Sequence, residues 1–596
     1  MDIFSIFSLF GGLAFFLYGI STMSSGLEKI AGGKLEKVLK QMTASPVRSF
    51  ALGAGITAVI QSSSAVTVML VGLVNSGLMN LSQTVSVIIG SNVGTTITAW
   101  VLSLSGIQSS AFFVRLLKPE SFSPLLALAG VIMIMAAKSN RKKSIGTVFM
   151  GFAILMFGMV VMAHSMAPLA DMPEFQQVLI AFKNPVLGMF VGLVVTMIIQ
   201  SSAASIGMLQ ALSLVGGISY GMAIPIILGQ NLGTCISAIL SAIGVNTNAK
   251  RVAAVHVIYN IFSVGISLPL FIVINALIDI PLMKTDINPL GCAVVHTVYN
   301  IITALACFPF FKALEKAAIW AIPEKQSAKE KEVFLDERLL LAPSFAIAEC
   351  YRQTVNMAQT VEFNFQYSTK MLKSYHEKKA EQIRENEIKI DSFEDKINSF
   401  LLKISGKELS EEDSNRISQL LLAVGDYERI GDHTAHILKI AEKINESEKK
   451  LSAEAVEELK VIVHAVSEIF AVSFEAYKTD NVQLAQEVEP LEAVIKKIVR
   501  KVKNRHIQRL KEGACMTEVS FLFSDLLTDL RRIAAHCGNI AISVIQLQDS
   551  TIGKHEYNHR NKDEDAEFIN KYQDYKTRYS VATPPIEEQN KETIPQ

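Results

Sequence analysis

Two strings of uncharged polar residues occur twice in the chain, and the second copy follows the first by 139 residues. Both strings combine an amide with hydroxyls, which can bind ions without carrying a formal charge, and the later string also contains glycines. In the first copy the polar residues are Gln61, Ser62, Ser63 and Ser64, with Asn92 and Thr95 further along. In the second copy they are Gln200, Ser201, Ser202, Asn231 and Thr234. A register kept without a gap across both strings indicates an internal duplication.

The duplicated strings lie in apolar stretches that contain no ionisable side chain. No Asp, Glu, Lys, Arg or His occurs between Arg48 and Arg115, or between Lys183 and Lys250. Broken backbone at membrane depth is tolerated only where it is buried in protein or lines a cavity. We therefore interpret each Gln-Ser-Ser string as the tip of a half-helix or re-entrant hairpin. The alternative is that these small residues only allow transmembrane helices to pack closely.

The chemistry of the strings predicts a site for an anion together with a cation. A helix N-terminus carries about half a positive charge and free N–H donors, which together suit an anion. Neither string supplies a positive side chain, so a buried multivalent anion would remain only partly neutralised. Hydroxyl, amide and carbonyl oxygens are ligands that broken-helix transporters use for Na⁺. The residues thus predict transport of an anion coupled to a cation.

The apolar first half predicts a multi-pass membrane domain over residues 1–320, because several of its stretches reach the ~20 residues that a span requires. Repeat 1 covers about 5–110, repeat 2 about 145–250, and extra helices 252–312. Basic residues cluster after the first span, near 138–143, at 250–251 and at 312–316. If all four clusters are cytoplasmic, the N-terminus lies outside and the two repeats have opposite orientations. This arrangement also predicts a cytoplasmic C-terminal half.

Two related strings follow the second repeat, one around His256 and one around His296, each with Tyr and Asn close by. An intramembrane histidine is a functional candidate by default. The neighbouring Tyr and Asn favour hydrogen bonding between helices instead. The six cysteines are scattered and form no CxxC pair, which favours structural cysteines over a disulfide framework or zinc site.

The duplicated strings resemble those of the type II sodium/phosphate cotransporter family, over roughly residues 5–312. The resemblance implies an inorganic phosphate site between the two repeats with Na⁺ beside it. It implies that the Gln and Ser residues contact phosphate or sodium and that the Asn and Thr residues complete the site. The candidate residues are Gln61, Ser62, Ser63, Ser64, Asn92, Thr95, Gln200, Ser201, Ser202, Asn231 and Thr234. Ala203 stands where the first copy has Ser64, so the two halves need not bind alike.

The composition of the second half predicts a charged linker at 321–343, a soluble helical domain at 344–548 and a disordered tail at 549–596. The string from Asp426 to His433 is similar to the signature of PhoU, a helical regulator of phosphate uptake. In PhoU proteins, carboxylates spaced by four residues can bind divalent or ferric metal. The residues with this spacing are Glu387, Asp391, Glu428, Asp432, Asp525 and Asp529. The second repeat is eroded, because Arg531 and Ala535 stand where the first has Glu428 and Asp432.

Together these features predict an all-α protein in the plasma membrane, with two inverted-topology repeats, broken helices and a cytoplasmic PhoU-like bundle. The expected function is sodium-coupled symport of inorganic phosphate. The alternatives are transport of another anion, phosphate export, or a membrane-anchored regulator of phosphate signalling. An enzyme is disfavoured because the charge-free core has no acid–base pair or nucleophile. Expected partners are phosphate, Na⁺, the lipid bilayer and a signalling partner or second copy of the chain, but not nucleic acid, because no basic run with interleaved aromatics occurs.

Overall fold

The regular secondary structure of the protein is helical. The computed structural model describes residues 3–31, 45–77, 79–106, 119–169, 182–278, 280–324, 335–341, 343–407, 409–447, 451–513, 516–548 and 566–581. These residues form no β-strand and contain a single isolated antiparallel bridge, between Ser219 and Asp286. The chain divides into two compact units, Met1–Ala346 with Gly406–Asp413, and Ile347–Ser405 with Ser414–Gln596. The predicted all-α class is confirmed, whereas the domain limits stay predictions.

In the first unit the two copies fold into the same order of helices. The first copy contains α1 Ile3–Ala31, α2 Pro46–Ile60, α3 Ser63–Asn75, α4 Leu81–Gly94 and α5 Thr96–Ser103. After α6 Pro119–Ala136 the second copy contains α7 Asn140–Met166, α8 Pro185–Ile199, α9 Ser202–Ser213, α10 Tyr220–Gly233 and α11 Cys235–Ser241. Helices α2 and α8 begin alike, with a capping Ser45 or Asn184 followed by proline at the first helical position.

Six helical segments of the described chain are long and apolar enough to cross a membrane. They are Ile3–Ile30, Leu81–Gly106, Asn140–Met166, Tyr220–Ser241, Thr247–Leu277 and Pro289–Ala321. Helices α2, α3, α8 and α9 have 15, 13, 15 and 12 residues, fewer than the ~20 that a span requires. The break between α2 and α3, and that between α8 and α9, therefore falls inside an apolar region.

Glycines hold the first arm of each broken pair tightly against the next long helix. A side chain at Gly53 would collide with the Val87 carbonyl, and one at Gly192 with the Ile226 carbonyl. Each contact brings the backbone of α2 against α4, or of α8 against α10. These glycines therefore do allow close helix packing. They lie on a different part of the helices from the Gln-Ser-Ser strings.

Two helices complete the membrane half, α12 Thr247–Leu277 and α13 Pro289–Cys307, followed by α14 Phe311–Ala321. Helix α12 packs against α3, α4, α10 and α11, whereas α13 packs against α9, α10, α4 and α5. Exchanging the two copies converts one set of neighbours into the other. The related histidine strings thus lie on two helices that occupy matching places beside the two copies.

Part of the predicted linker belongs to the first unit. A short 3₁₀ helix, Glu337–Leu341, packs on α3 with Leu339 fully buried. The Asn75 Nδ2 group donates to the buried Asp336 carboxylate over 2.6 Å, and the Asn246 N–H donates to Asn75 Oδ1 over 2.9 Å. The segment is charged in sequence, yet Asp336 binds an amide at the end of α3 and is not left in solvent.

The second unit consists mainly of long helices in two sets of three, two of which begin in residues that belong to the first unit. They are α15 Pro343–Met371, α16 Glu377–Ser405 and α17 Glu411–Glu446, then α18 Ala453–Thr479, α19 Val482–Lys511 and α20 Thr517–Gln548. A further helix, α21 Ala566–Arg578, packs on α19 and lies in the stretch predicted to be disordered. That prediction is wrong for residues 566–578, because Tyr575 on the apolar face of this short helix is buried and Arg578 pairs with Glu468. The rest of the predicted tail, apart from residues 579–581, lies outside the described residues.

Candidate functional site

Both broken helices end in a glutamine with left-handed backbone. Gln61 has φ 58° and Gln200 has φ 57°, and each N–H donates over 2.7 Å to the carbonyl four residues earlier, in Thr57 or Thr196. Asp480 is the only other non-glycine residue with positive φ in the described chain. This conformation disfavours any residue with a Cβ, and it persists where the surrounding structure holds it, often at functional sites. Its recurrence at two matching glutamines marks both breaks as candidate binding points.

A serine starts the second arm of each broken pair. Ser62 Oγ accepts from the Ala65 N–H over 3.1 Å, and Ser201 Oγ accepts from the Ala204 N–H over 3.2 Å. The first intrahelical bond of α3 runs from Val66 N–H to the Ser62 carbonyl. The N–H groups of the two residues after each capping serine therefore have no acceptor within the helix. They stand at the positive end of the helix dipole, where they can donate to an anion.

The asparagines of the second strings each have one amide N–H already engaged. Asn92 Nδ2 donates to the Ile88 carbonyl over 3.0 Å, and Asn231 Nδ2 donates to the Ile227 carbonyl over 3.1 Å. This contact uses one of the two amide N–H donors and fixes the orientation of each amide, whose oxygen can only accept or coordinate. Thr95 and Thr234 use their hydroxyl protons in the same way, on carbonyls within their own turn. These residues present oxygen acceptors, which suit a cation better than an anion.

The structure brings the two strings of each copy together. A side chain at Gly94 would lie 2.9 Å from the Thr57 Cβ, and one at Gly233 would lie 2.6 Å from the Thr196 Cβ. The Gly-x-Asn-x-Gly-Thr string therefore packs beside the last turn before the break. The two copies also interlock, because α9 packs on α5 and α3 packs on α11, with Gln210 Nε2 donating to the Ala99 carbonyl over 3.0 Å.

Sequence reasoning missed two threonines that the structure singles out. The hydroxyls of Thr57 and Thr196 are fully buried and have no hydrogen-bond partner among the described residues, and the same holds for the buried Gln61 Oε1. An unpaired buried hydroxyl costs about 1–3 kcal/mol, so a matching pair requires an explanation. The signal was available, because both threonines keep the 139-residue spacing. Gln230 Oε1 and Ser205 Oγ are unpaired in the same way.

The two copies are not identical at the break. Gln61 is 6% exposed, whereas the side chain of Gln200 is exposed. Ser64 of the first copy is replaced by Ala203, which removes a hydroxyl from the first turn of α9. The first copy thus offers one more hydroxyl and a more deeply buried glutamine than the second.

The two intramembrane histidines differ. His296 Nε2 lies 3.4 Å from Asn231 Oδ1, so this histidine joins α13 to α10, as the hydrogen-bonding interpretation expects. His256 is fully buried, and neither of its ring nitrogens has a partner among the described residues. The expectation therefore fits His296 and does not fit His256. Both Asn260 and Asn300 bond back to the carbonyl of the histidine on their own helix.

In the soluble half, four of the six candidate metal-binding carboxylates influence one another. The pKa of Glu387 is raised to about 8 by burial first and then by Asp391 and Asp432. The pKa of Glu428 is raised to about 7 by burial first and then by Asp432. Nevertheless, no group of three or more His, Cys, Asp or Glu in the described residues is arranged to hold a metal ion. The predicted metal site thus finds no support.

The remaining candidates of this set, Asp525 and Asp529, differ from those four. Asp529 is buried between two histidines, 2.9 Å from His433 Nδ1 and 2.6 Å from His436 Nδ1. Asp525 is exposed on α20. The signature string also contacts the second repeat, because Asp426 lies 2.8 Å from His536 Nδ1. Each repeat therefore places its aspartate on the histidine of the other repeat.

Comparisons with known proteins agree with this division. The membrane half matches the model of the Na⁺/Pi-cotransporter family twice, over residues 15–164 and 154–284. The later half matches the PhoU domain over residues 354–441 and 459–544.

Relatives cover both halves. YjbB of Escherichia coli K12, named for inorganic phosphate export, is 23% identical over 93% of this chain and 100% of its own length. The uncharacterised protein YqeW of Bacillus subtilis is 30% identical over 43% of this chain and 80% of its own. Sodium-dependent phosphate transport protein 2A of rabbit (Oryctolagus cuniculus) is 35% identical over 15% of each chain. With its duplicated polar helix breaks and the six apolar segments among its described residues, this multi-pass membrane protein belongs to the Na⁺/Pi-cotransporter family and carries a C-terminal PhoU domain.

Proposed function

We propose that the protein transports inorganic phosphate together with Na⁺ through a site built from the two helix breaks. The observation that carries this proposal is the matched pair of left-handed glutamines, each followed by a serine that caps a new helix. Free N–H groups at the starts of α3 and α9 bind the phosphate oxygens, with the serine hydroxyls beside them. In this proposal the contacts come from Gln61, Ser62, Ser63, Ser64, Gln200, Ser201 and Ser202.

Sodium balances the charge that the protein does not neutralise. Two half-helix dipoles offer about one positive charge in total, less than a divalent phosphate requires. The Thr57 and Thr196 hydroxyls have no partner among the described residues, and the Asn92 and Asn231 amides, each held by one N–H, offer side-chain oxygens nearby. Such oxygens are the ligands that broken-helix transporters use for Na⁺. Asn92, Thr95, Asn231 and Thr234 belong to this cation-binding set.

The proposed topology is inverted. Basic residues between the apolar helices follow a pattern that puts the N-terminus outside and the PhoU domain in the cytoplasm of a cell whose plasma membrane holds the protein. In that arrangement the breaks of the two copies enter the membrane from opposite sides. Alternating access then follows when one copy moves against the other around a fixed site.

Export is the second candidate. It is favoured by YjbB, which is named for phosphate export and is matched along its whole length. The site proposed here serves either direction, since the direction depends on the gradients and on the ions that accompany phosphate. The PhoU domain would regulate either process, through a signalling partner or a second copy of the chain. A regulator without transport is disfavoured, because it has no need for polar groups at both breaks.

The proposal is tested with purified protein in liposomes and labelled phosphate. We expect an inward Na⁺ gradient to drive uptake and an equal K⁺ gradient to give none. Vesicles loaded with phosphate and diluted into Na⁺-free buffer measure export. Ser62→Ala is expected to abolish movement in both directions, whereas Ser45→Ala, which removes a serine cap at the start of α2 away from the break, is the matched control.

Each outcome has a definite meaning. Uptake that is equal in Na⁺ and K⁺ would support the phosphate site but overturn the proposed coupling to Na⁺. Efflux of phosphate without uptake would show that the protein is an exporter. Absence of phosphate movement under any gradient, with correctly folded protein, would overturn the transport proposal.

A further inference from the structure

A basic groove lies on the second repeat of the PhoU domain. It has a volume of about 550 Å³, and α19 and α20 form its walls. Its charged lining residues are Lys496, Lys497, Arg500, Lys503 and Arg531, and the rest of the lining is Ala493, Val499, Leu527 and Thr528. No acidic residue of the described chain lines the groove, so its surface carries five positive charges.

Among the described residues these five cations have no partner. All five side chains are exposed, and none forms an ion pair with another described residue. Other basic residues nearby are engaged, since Arg505 and Arg509 both pair with the buried Glu458. Like charges held together in a concave surface raise the local concentration of anions. The groove is thus an anion-attracting surface that the fold itself leaves uncompensated.

The matching place in the first repeat has the opposite charge. Buried positions align α16 with α19, Ile390 with Ile495 and Ile397 with Val502, both at a spacing of 105 residues. At that spacing Asp391 and Asp395 correspond to Lys496 and Arg500. Helices α17 and α20 align at a spacing of 103 residues, through Tyr427 with Leu530 and Ile430 with Ile533, and Glu428 then corresponds to Arg531.

The four aligned core positions remain apolar in both repeats, whereas three aligned polar positions change from acidic to basic. A change of sign at three corresponding positions of one surface is difficult to ascribe to a solvated face of random charge. The erosion of the second PhoU signature, where Arg531 replaces an acid, is part of this conversion.

We propose that this groove binds a soluble small molecule that carries two or more linked phosphate groups. Lys496, Arg500 and Lys503 follow one another at one-turn spacing and extend over about 10 Å of helix. One orthophosphate is too small to reach all three, whereas linked phosphates can. Arg500 and Arg531 offer planar bidentate donors for phosphate, and the lysines add point charges. The volume suits a small ligand.

The test uses the full-length protein in a neutral detergent with a chelator present, and inorganic tripolyphosphate as the probe. We expect tripolyphosphate to bind at least about tenfold more tightly than orthophosphate does at this groove, and its affinity to fall as salt is raised. The double variant Arg500→Gln/Arg531→Gln is expected to bind tripolyphosphate at least about tenfold more weakly. Lys511→Gln, the loss of an exposed charge at the end of α19 outside the groove, is the matched control.

The two phosphate sites are separated by their variants. Ser62→Ala should leave tripolyphosphate affinity unchanged, and Arg500→Gln/Arg531→Gln should leave Na⁺-driven phosphate movement without tripolyphosphate unchanged. Failure of the transport proposal therefore does not alter this result. The inference is overturned if the double variant binds tripolyphosphate as the wild type does. It is also overturned if the wild type binds only vesicles of phosphatidylglycerol, or only a second copy of the chain through its acidic repeat.

Discussion

The membrane half and the PhoU domain are both duplicated, but the duplicates have diverged in opposite ways. In the membrane half the polar residues at the helix breaks are kept, with Gln61 and Gln200 within one degree of φ. In the PhoU domain the buried positions are kept, while surface charge reverses between Asp391 and Lys496. A site that needs a contribution from both copies constrains them to the same chemistry. Copies that share only a core leave their surfaces free to acquire separate ligands.

The largest effect is expected at the paired threonines. Thr57→Val and Thr196→Val keep the side-chain shape and remove the unpaired hydroxyl. If the hydroxyls bind Na⁺, each change lowers Na⁺-driven phosphate uptake by about tenfold to 100-fold. The reason is that an oxygen ligand contributing about 1–3 kcal/mol to binding is lost. Uptake into liposomes as a function of Na⁺ concentration measures it.

Thr98→Val provides the control for the threonine pair, since its hydroxyl is also buried and unpaired but lies on α5. We expect it to leave uptake unchanged. If all three variants transport normally, the conserved chemistry of the two copies would reflect packing and the comparison with the PhoU domain would lose its basis.

A smaller and unequal effect is expected at the glutamines. Gln61→Gly and Gln200→Gly remove the side chain and relieve about 1 kcal/mol of left-handed backbone cost. We expect Gln61→Gly to reduce uptake by about tenfold and Gln200→Gly by less, because Gln61 is buried and Gln200 is exposed. The ratio of initial uptake rates checks this. Equal losses would mean that the copies contribute alike despite their different exposure.

The smallest effect concerns the acidic repeat of the PhoU domain. The pKa of Glu387 is about 8 in the folded protein, above its ordinary value of 4.5. The unfolded chain therefore releases this proton first, and the stability of the domain falls as pH rises from about 4.5 towards 8. We expect Glu387→Gln to slow hydrogen exchange in α16 and α17 at pH 8 and to change it little at pH 4.5.

The exposed Glu381 on the same helix supplies the control, as Glu381→Gln should leave exchange unchanged at both pH values. Faster exchange in Glu387→Gln at pH 8 would mean that the ionised carboxylate stabilises the repeat, contrary to its raised pKa.

Much of the membrane half could be predicted because its two copies have the same residue types at corresponding positions. The 139-residue spacing located both breaks, and glycines with polar residues in an apolar stretch identified them as breaks. Thr57 and Thr196 escaped because a threonine in a helix usually bonds to a carbonyl of the preceding turn. In the folded protein the hydroxyls of these two threonines have no such bond.

The soluble half was harder, because helical spacing fixes which residues share a face but not what that face meets. Asp529 has the same i, i+4 spacing as the other carboxylates, yet its two oxygens contact His433 and His436 of the other repeat. Helix α21 was missed since its polar composition resembles a tail, and its few buried contacts, such as Tyr575, come from tertiary packing. Charge reversal between the repeats becomes visible only after their cores are aligned.

The bonds around Asn75 have a mechanical consequence. This amide, at the end of the second arm of the first break, is bonded both to Asp336 and to the residue before α12. Arg338 adds a bond of 2.6 Å to the Ile243 carbonyl. A pull on the chain beyond Leu341 is therefore shared by two hydrogen bonds, from Asp336 and from Arg338, and its force reaches α3 before it reaches α14. The start of the chain towards the PhoU domain is thus anchored on the arm whose other end opens at Ser62.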